Sequence, residues 1–163
     1  MFPDDIDSLA REVIRAATAR GLKVATAESC TGGLVSGALT GVAGSSAVVD
    51  RGFVTYSNAA KADLLGVPGA LIESHGAVSE PVARAMAEGA VARSAARVSV
   101  AVTGIAGPGG GSPDKPVGLV HFAAAGPAGL IHVERRFGDI GREGVRLASV
   151  RVALTLLLNR IAA

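Results

Sequence analysis

Apolar side chains recur along this chain with two different periods. Between Asp5 and Ala19, residues Ile6, Leu9, Ala10, Val13 and Ile14 fall on one helix face, and Gly21 ends the pattern. Lys23 to Ala27 then reads as a short buried strand, Glu28 to Gly33 as a tight turn, and Leu34 to Leu39 as a helix. Small residues from Gly41 to Ser46 make a loop. Val48 to Tyr56 predicts a strand, and Ser57 or Asn58 caps a helix that runs through Leu65. Gly66 to Ser79 reads as a connector. Glu80 to Ala96 is an Ala-rich helix with Pro81 in its first turn, followed by a Val/Ala strand from Arg97 to Thr103. Gly104 to Pro116 is the densest loop. Val117 to Ala125 and Leu130 to Phe137 are two further strands, and their short link around Gly126-Pro127 favours antiparallel pairing. Arg142 to Ile161 closes the chain as a long helix.

Helices and strands mostly alternate, which predicts an α/β domain: a three-layer α/β/α sandwich around a mixed, mostly parallel sheet. The 163 residues suit one domain, spanning 1–163. Composition sharpens this picture. The chain is 49% hydrophobic but only 3% aromatic, so Ala, Val, Leu and Gly must fill the core and let helices lie close on the sheet. A net charge of +2, without a basic stripe interleaved with aromatics, argues against a nucleic-acid partner. The N-terminal stretch is acidic and amphipathic rather than a signal peptide, and no apolar run reaches membrane-spanning length. The single cysteine, Cys30, has no intrachain disulfide partner, in keeping with a reducing, cytoplasmic setting.

Four places carry candidate chemistry. Ser29 follows a buried strand and precedes a Gly-Gly turn and a helix, so its hydroxyl could stand at the carboxyl edge of the sheet beside unpaired N–H groups. The alternative is that Ser29 simply caps that helix. Cys30 is the rival nucleophile, or a small buried residue. Tyr56, the only tyrosine, and Lys61, near the start of the next helix, could face one cleft. A desolvated lysine, or a tyrosinate held beside one, can take a serine proton where no histidine serves. Thr103-Gly-Ile-Ala-Gly-Pro-Gly-Gly-Gly111 leaves a strand and could turn N–H groups of Gly104, Gly107 and Gly109 toward a ligand; it lacks the Lys-Ser/Thr of a Walker loop. Arg142 and Arg146 share a helix face near its start and could hold a phosphate. His75, His121 and His132 have no metal-ligand spacing, so neither a metal nor another cofactor is expected.

The order of these segments resembles a known family. Ala27-Glu-Ser-Cys-Thr-Gly-Gly33 is followed by Gly52-Phe-Val-Thr-Tyr-Ser-Asn58 with Lys61 and Leu65-Gly66, then by Gly76-Ala-Val-Ser79. The glycine-rich loop and Lys115-Pro-Val-Gly118 complete the set. Together they are similar to the CinA C-terminal domain family, whose members are nicotinamide-nucleotide amidases. The likeness covers nearly the whole chain and looks like the stand-alone form, without the molybdopterin-binding-like domain to which the family is also found fused.

The resemblance implies hydrolysis of the carboxamide of nicotinamide mononucleotide (NMN) to nicotinate mononucleotide and ammonia. It implies a Ser29 nucleophile activated by Tyr56 and Lys61, with Thr103 shaping the site and Arg142 opening the last helix. Backbone N–H groups of the turn at Cys30 and Thr31 are the expected oxyanion hole, with Gly32 also expected to line the substrate site. Phe137-Gly-Asp-Ile-Gly-Arg142 is one residue longer than the commoner Phe-x-Gly-Asp-Arg pattern, which keeps Arg146 as the second choice for the phosphate contact. The small Ala-rich domain is expected to self-associate. Two other readings stay open: a non-catalytic nucleotide-binding or regulatory module, and an amidase that uses Cys30.

Overall fold

A computed structural model describes residues 1–163. Helix α1 (Asp4–Arg20) leads into strand β1 (Val24–Glu28), then α2 (Leu34–Thr40), β2 (Val49–Val54), α3 (Asn58–Leu65) and α4 (Gly69–His75). Helix α5 (Glu80–Ala92) precedes β3 (Val98–Gly104), the hairpin β4 (Leu119–Gly126) and β5 (Gly129–Arg136), and the closing α6 (Arg142–Ala162). The strands form one sheet in the order β2-β1-β3-β4-β5.

β1 runs parallel to both β2 and β3, whereas β3–β4 and β4–β5 are antiparallel. The sheet is therefore mixed, as expected, with two parallel and two antiparallel pairings, which is less parallel than the sequence reading had it. The tight Gly126-to-Gly129 turn imposes the hairpin, and the 14-residue loop between β3 and β4, which holds no helix, returns the chain antiparallel.

Alternation along the strands sends two kinds of side chain to the two faces. Val24, Val98, Val100, Val102, Val120 and Phe122 pack under α1, α2 and α6. Ala25, Ala27, Ala101, Ala123 and Ala125 face α5 and its neighbours. The Ala face lets α5 sit close: Ser99 Oγ on β3 donates to the Ala87 carbonyl within that helix at 2.7 Å. Both faces are thus covered, giving the three layers that the alternation of elements predicts.

Two segments differ from the sequence reading. The connector after Gly66 contains α4, begun by Pro68 and ended at Gly76, and too short to show a helical period. The Ala-rich helix stops at Ala92 rather than Ala96, because Ser94 Oγ bonds back to Ala90 O and accepts from Ala96 N.

Candidate active site

β1 and β3 run side by side and end together, so their carboxyl ends deliver Glu28-Ser29 and Thr103-Gly104 to the same edge. Ser29 N–H continues the ladder by donating to Val102 O at 2.9 Å. The chain then reverses through Gly32 and Gly33, with φ of +56° and +101°. Two successive left-handed residues need glycine, which explains the Gly-Gly pair.

Ser29 does not cap α2. Helix α2 begins at Leu34 after Gly33, and its first N–H groups are taken by a buried carboxylate instead. Val35 and Ser36 N–H donate to the two oxygens of Glu28 at 2.8 and 3.0 Å, and Glu28 is fully buried. This leaves the Ser29 hydroxyl free for Lys61. Lys61 Nζ lies 3.1 Å from Ser29 Oγ and donates to the Thr55 carbonyl at 2.8 Å. Only 1% of Lys61 is exposed, and burial holds its pKa below the ordinary lysine value. α3 carries Lys61, and Ser57 anchors that helix by accepting from Ala60 N–H at 3.0 Å.

Tyr56 stands apart from this pair. It is 61% exposed, and its hydroxyl accepts from Arg142 at 2.9 Å. Arg142 also donates to Gly107 O at 2.8 Å, so it ties β2's exit to the glycine-rich loop. Tyr56 and Lys61 thus share the cleft, as expected, but hydrogen-bond to different partners and not to each other. Tyr56 follows the strand end outward, while Lys61, one helical turn into α3, points back under it. Cys30 lines the same cleft, and burial, which outweighs the opposing charges of Arg146 and Lys61, pushes its thiol up to about 12.

Ser29, Cys30, Tyr56, Lys61, Thr103, Gly104, Gly107, Gly109 and Arg142 line one cleft of about 280 Å³. Thr103 Oγ1 donates to Ala77 O at 2.9 Å, fixing the wall that Ala77 and Val78 supply. Thr31 and Gly32 do not line the cleft. Gly32 N–H is spent on Ser29 O, and the buried Thr31 lies in the turn behind Ser29. Arg146 is likewise not on the cleft: Nε donates to Cys30 O and Nη2 to Thr31 O, both at 3.1 Å. It supports the turn from outside the cleft, whereas Arg142 lines it. Asn58, Ala77 and Val78 also line the cleft. All three lie in motifs that carry the family resemblance, but their small or amide side chains carry no chemistry that would assign them a role from sequence.

No three His, Cys, Asp or Glu side chains converge as a metal ion would require. His121 and His132 instead stack on each other, with Nδ1 and Nε2 2.9 Å apart, on the sheet face beside α5. No helix is long and apolar enough to cross a membrane.

The model of the CinA C-terminal domain matches residues 6–161. This chain belongs to that family. It is 54% identical over 158 residues to a CinA-like protein of Anaeromyxobacter dehalogenans, covering 96% of this chain and 38% of that protein. A CinA-like protein of Synechococcus is 55% identical, again with 96% and 38% covered. The chain thus spans well under half the length of the curated relatives it matches. Among solved structures, the competence/damage inducible protein CihA from Agrobacterium tumefaciens is 60% identical, with a TM-score of 0.95 and 98% of both chains covered. The competence damage-inducible protein A from Klebsiella pneumoniae is 38% identical, with a TM-score of 0.91 and 96% and 97% covered. The CinA domain thus has the fold of known members over essentially its whole length.

Proposed function

We propose that this CinA domain is an amidohydrolase that converts the carboxamide of NMN to the carboxylate, releasing ammonia through an acyl-enzyme on Ser29. The observation that carries this reading is the buried Lys61 amine 3.1 Å from the Ser29 hydroxyl. Desolvation favours the neutral amine, whose lone pair can take the hydroxyl proton. The Thr55 carbonyl orients Nζ by accepting one of its N–H groups. Ser29 Oγ bonds to the amide carbon, and the proton held on Nζ passes to the amide nitrogen as the C–N bond breaks. Water then adds to the ester, again giving a proton to Nζ; that proton passes to Ser29 Oγ as the ester C–O bond breaks, and the acid released ionises to the carboxylate.

The rest of the cleft supports a substrate with an anionic end. Arg142 sits at the mouth beside Tyr56 and Gly107. The glycine-rich loop leaves backbone N–H groups of Ala106, Gly107 and Gly109 without partners in the protein. Such a surface suits a phosphate, while Ala77, Val78 and Ile105 offer an apolar wall for a flat ring. The test is ammonia release from NMN by the purified protein beside its Ser29→Ala variant. Release that depends on Ser29 supports the reading. Binding of the nucleotide without release would replace it by a non-catalytic module.

A further inference from the structure

Two motifs of the chain, Gly76-Ala-Val-Ser79 and Lys115-Pro-Val-Gly118, meet through one side chain. Lys115 Nζ donates at 2.6 Å to the carbonyl of His75, the last residue of α4. A helix end leaves carbonyls without helical partners, and a lysine ammonium suits that negative pole. Gly76 makes room for it: its φ is +77°, and a Cβ there would lie 2.8 Å from Nζ. The next two carbonyls are taken in the same way. Ser79 Oγ donates to Gly76 O at 2.8 Å, and Thr103 Oγ1 to Ala77 O at 2.9 Å. Three successive carbonyls are thus held by side chains from the far end of the glycine-rich loop, the entry to α5 and the end of β3. The N–H groups of Ala77, Val78 and Ser79 make no hydrogen bond within the protein. The carbonyls are therefore the polar anchors of the wall that Ala77 and Val78 present to the cleft.

The loop that carries Lys115 is itself fixed. Ser112 N–H donates to Lys115 O at 2.8 Å and Lys115 N–H to Ser112 Oγ at 3.1 Å, which closes a turn around Pro113-Asp114. At the base of the loop, Ile105 N–H donates to Leu119 O and Gly118 N–H to Ile105 O. Arg142 ties the loop to α6 through Gly107 O, and Lys115 ties it to α4. Lys115 does not line the cleft. We infer that Lys115 is a positioning residue that sets the glycine-rich loop against the Ala77–Val78 wall, and with it how tightly the cleft holds the substrate ring. This rests on the reading of the cleft as an NMN site. The bond is charge-assisted but open to water, so its loss should weaken binding by about five- to tenfold.

The experiment compares wild type, Lys115→Met and Lys115→Arg in turnover of NMN and of nicotinamide riboside, and in the amide spectrum of the ¹⁵N-labelled protein. Methionine keeps most of the apolar stem and removes the ammonium. Lys115→Met is expected to raise KM about five- to tenfold for both substrates, which share the ring, with kcat within about twofold. Arginine keeps the charge and should recover part of the loss. In Lys115→Met the amide resonances of Gly76, Ala77 and Val78 should move while those of β1 and β4 stay in place. A loss confined to NMN would overturn the proposal, since Lys115 would then act on the phosphate. A fall in kcat at unchanged KM would do the same, and so would kinetics equal to wild type. If Lys115→Met does not fold, Lys115→Arg decides, because the larger guanidinium must shift beside Gly76: unchanged KM with unmoved wall resonances would overturn the role. A wild type inert toward NMN removes the amidohydrolase reading alone. Titration of the amide spectrum with NMN then measures affinity directly, and equal affinity in wild type and Lys115→Met would overturn the positioning role. A wild type that neither turns over nor binds NMN overturns both.

Discussion

Lys61 Nζ lies 3.1 Å from Ser29 Oγ, although 32 residues separate the two in the chain. Parallel pairing of β1 with β2 makes the contact: Thr55 N–H donates to Glu28 O, which sets the start of α3 beside the start of the Ser29 turn. The nucleophile prediction follows. Ser29→Ala is expected to lose nearly all turnover, and Cys30→Ala to keep most of it, because the buried thiol has a raised pKa. Steady-state ammonia release measures both, and the reverse ranking would refute the serine pathway.

The pH profile should expose Lys61. Burial lowers its pKa from the ordinary 10.5, so the active, neutral amine gains population as pH rises through the lowered value. Turnover should climb on the alkaline side with its midpoint below 10.5. Lys61→Ala should depress kcat by roughly 10²–10⁴-fold and remove that limb of the profile. A profile unchanged in shape would mean that another group takes the proton.

Tyr56 and Arg142 should behave as binding residues. Since the Tyr56 hydroxyl sits on Arg142 and not on Lys61, Tyr56→Phe should affect KM more than kcat. Arg142→Ala should lose about 1.5–3 kcal/mol, roughly ten- to hundredfold, in kcat/KM for NMN. Its effect on nicotinamide riboside, which has no phosphate, should be much smaller. Equal losses on both substrates would make Arg142 a purely structural tie to Gly107.

The stacked pair His121 and His132 predicts acid sensitivity. Burial, partly offset by Glu80 and Glu134, holds both below the ordinary 6.5; Lys115 lowers His121 and Arg84 lowers His132. The folded state therefore binds fewer protons than the unfolded state once pH drops below 6.5. Stability is full above that value and declines as pH falls from 6.5 through the lowered folded values. The melting temperature should drop on going from about pH 8 to about pH 5. His132→Gln should flatten that dependence; an unchanged slope would assign the effect to other groups.

Gly89 offers a packing test. A Cβ placed there would lie 2.0 Å from the Leu65 carbonyl at the end of α3. Gly89→Ala is expected to cost about 1–3 kcal/mol, despite the better helix propensity of alanine, and to appear as a lower melting temperature. Because α3 carries Lys61, turnover should fall as well. A stabilised variant would show that α5 can shift away from α3 without cost.

The sequence by itself determined the elements with a clear period. The heptad-like face of Ile6 to Ile14, the Val/Ala strands and the long α6 were all legible, because burial of one face leaves its spacing in the sequence. It offered Ser29 as either a nucleophile or a helix cap and Lys61 as a candidate partner of Tyr56, and only the family resemblance chose among these readings. Only the tertiary structure decided what these residues meet. Strand direction depends on which edge a long loop returns to, and the glycine-rich loop has no periodicity to record it. Tyr56 and Lys61 are five residues apart, yet one ends exposed on Arg142 and the other buried on Ser29. Arg142 and Arg146 share a helix face in sequence, but α6 crosses the site so that one reaches the mouth of the cleft and the other the back of the turn. Helix spacing specifies which side chains are neighbours on one element; how that element docks decides which wall of the site each one serves.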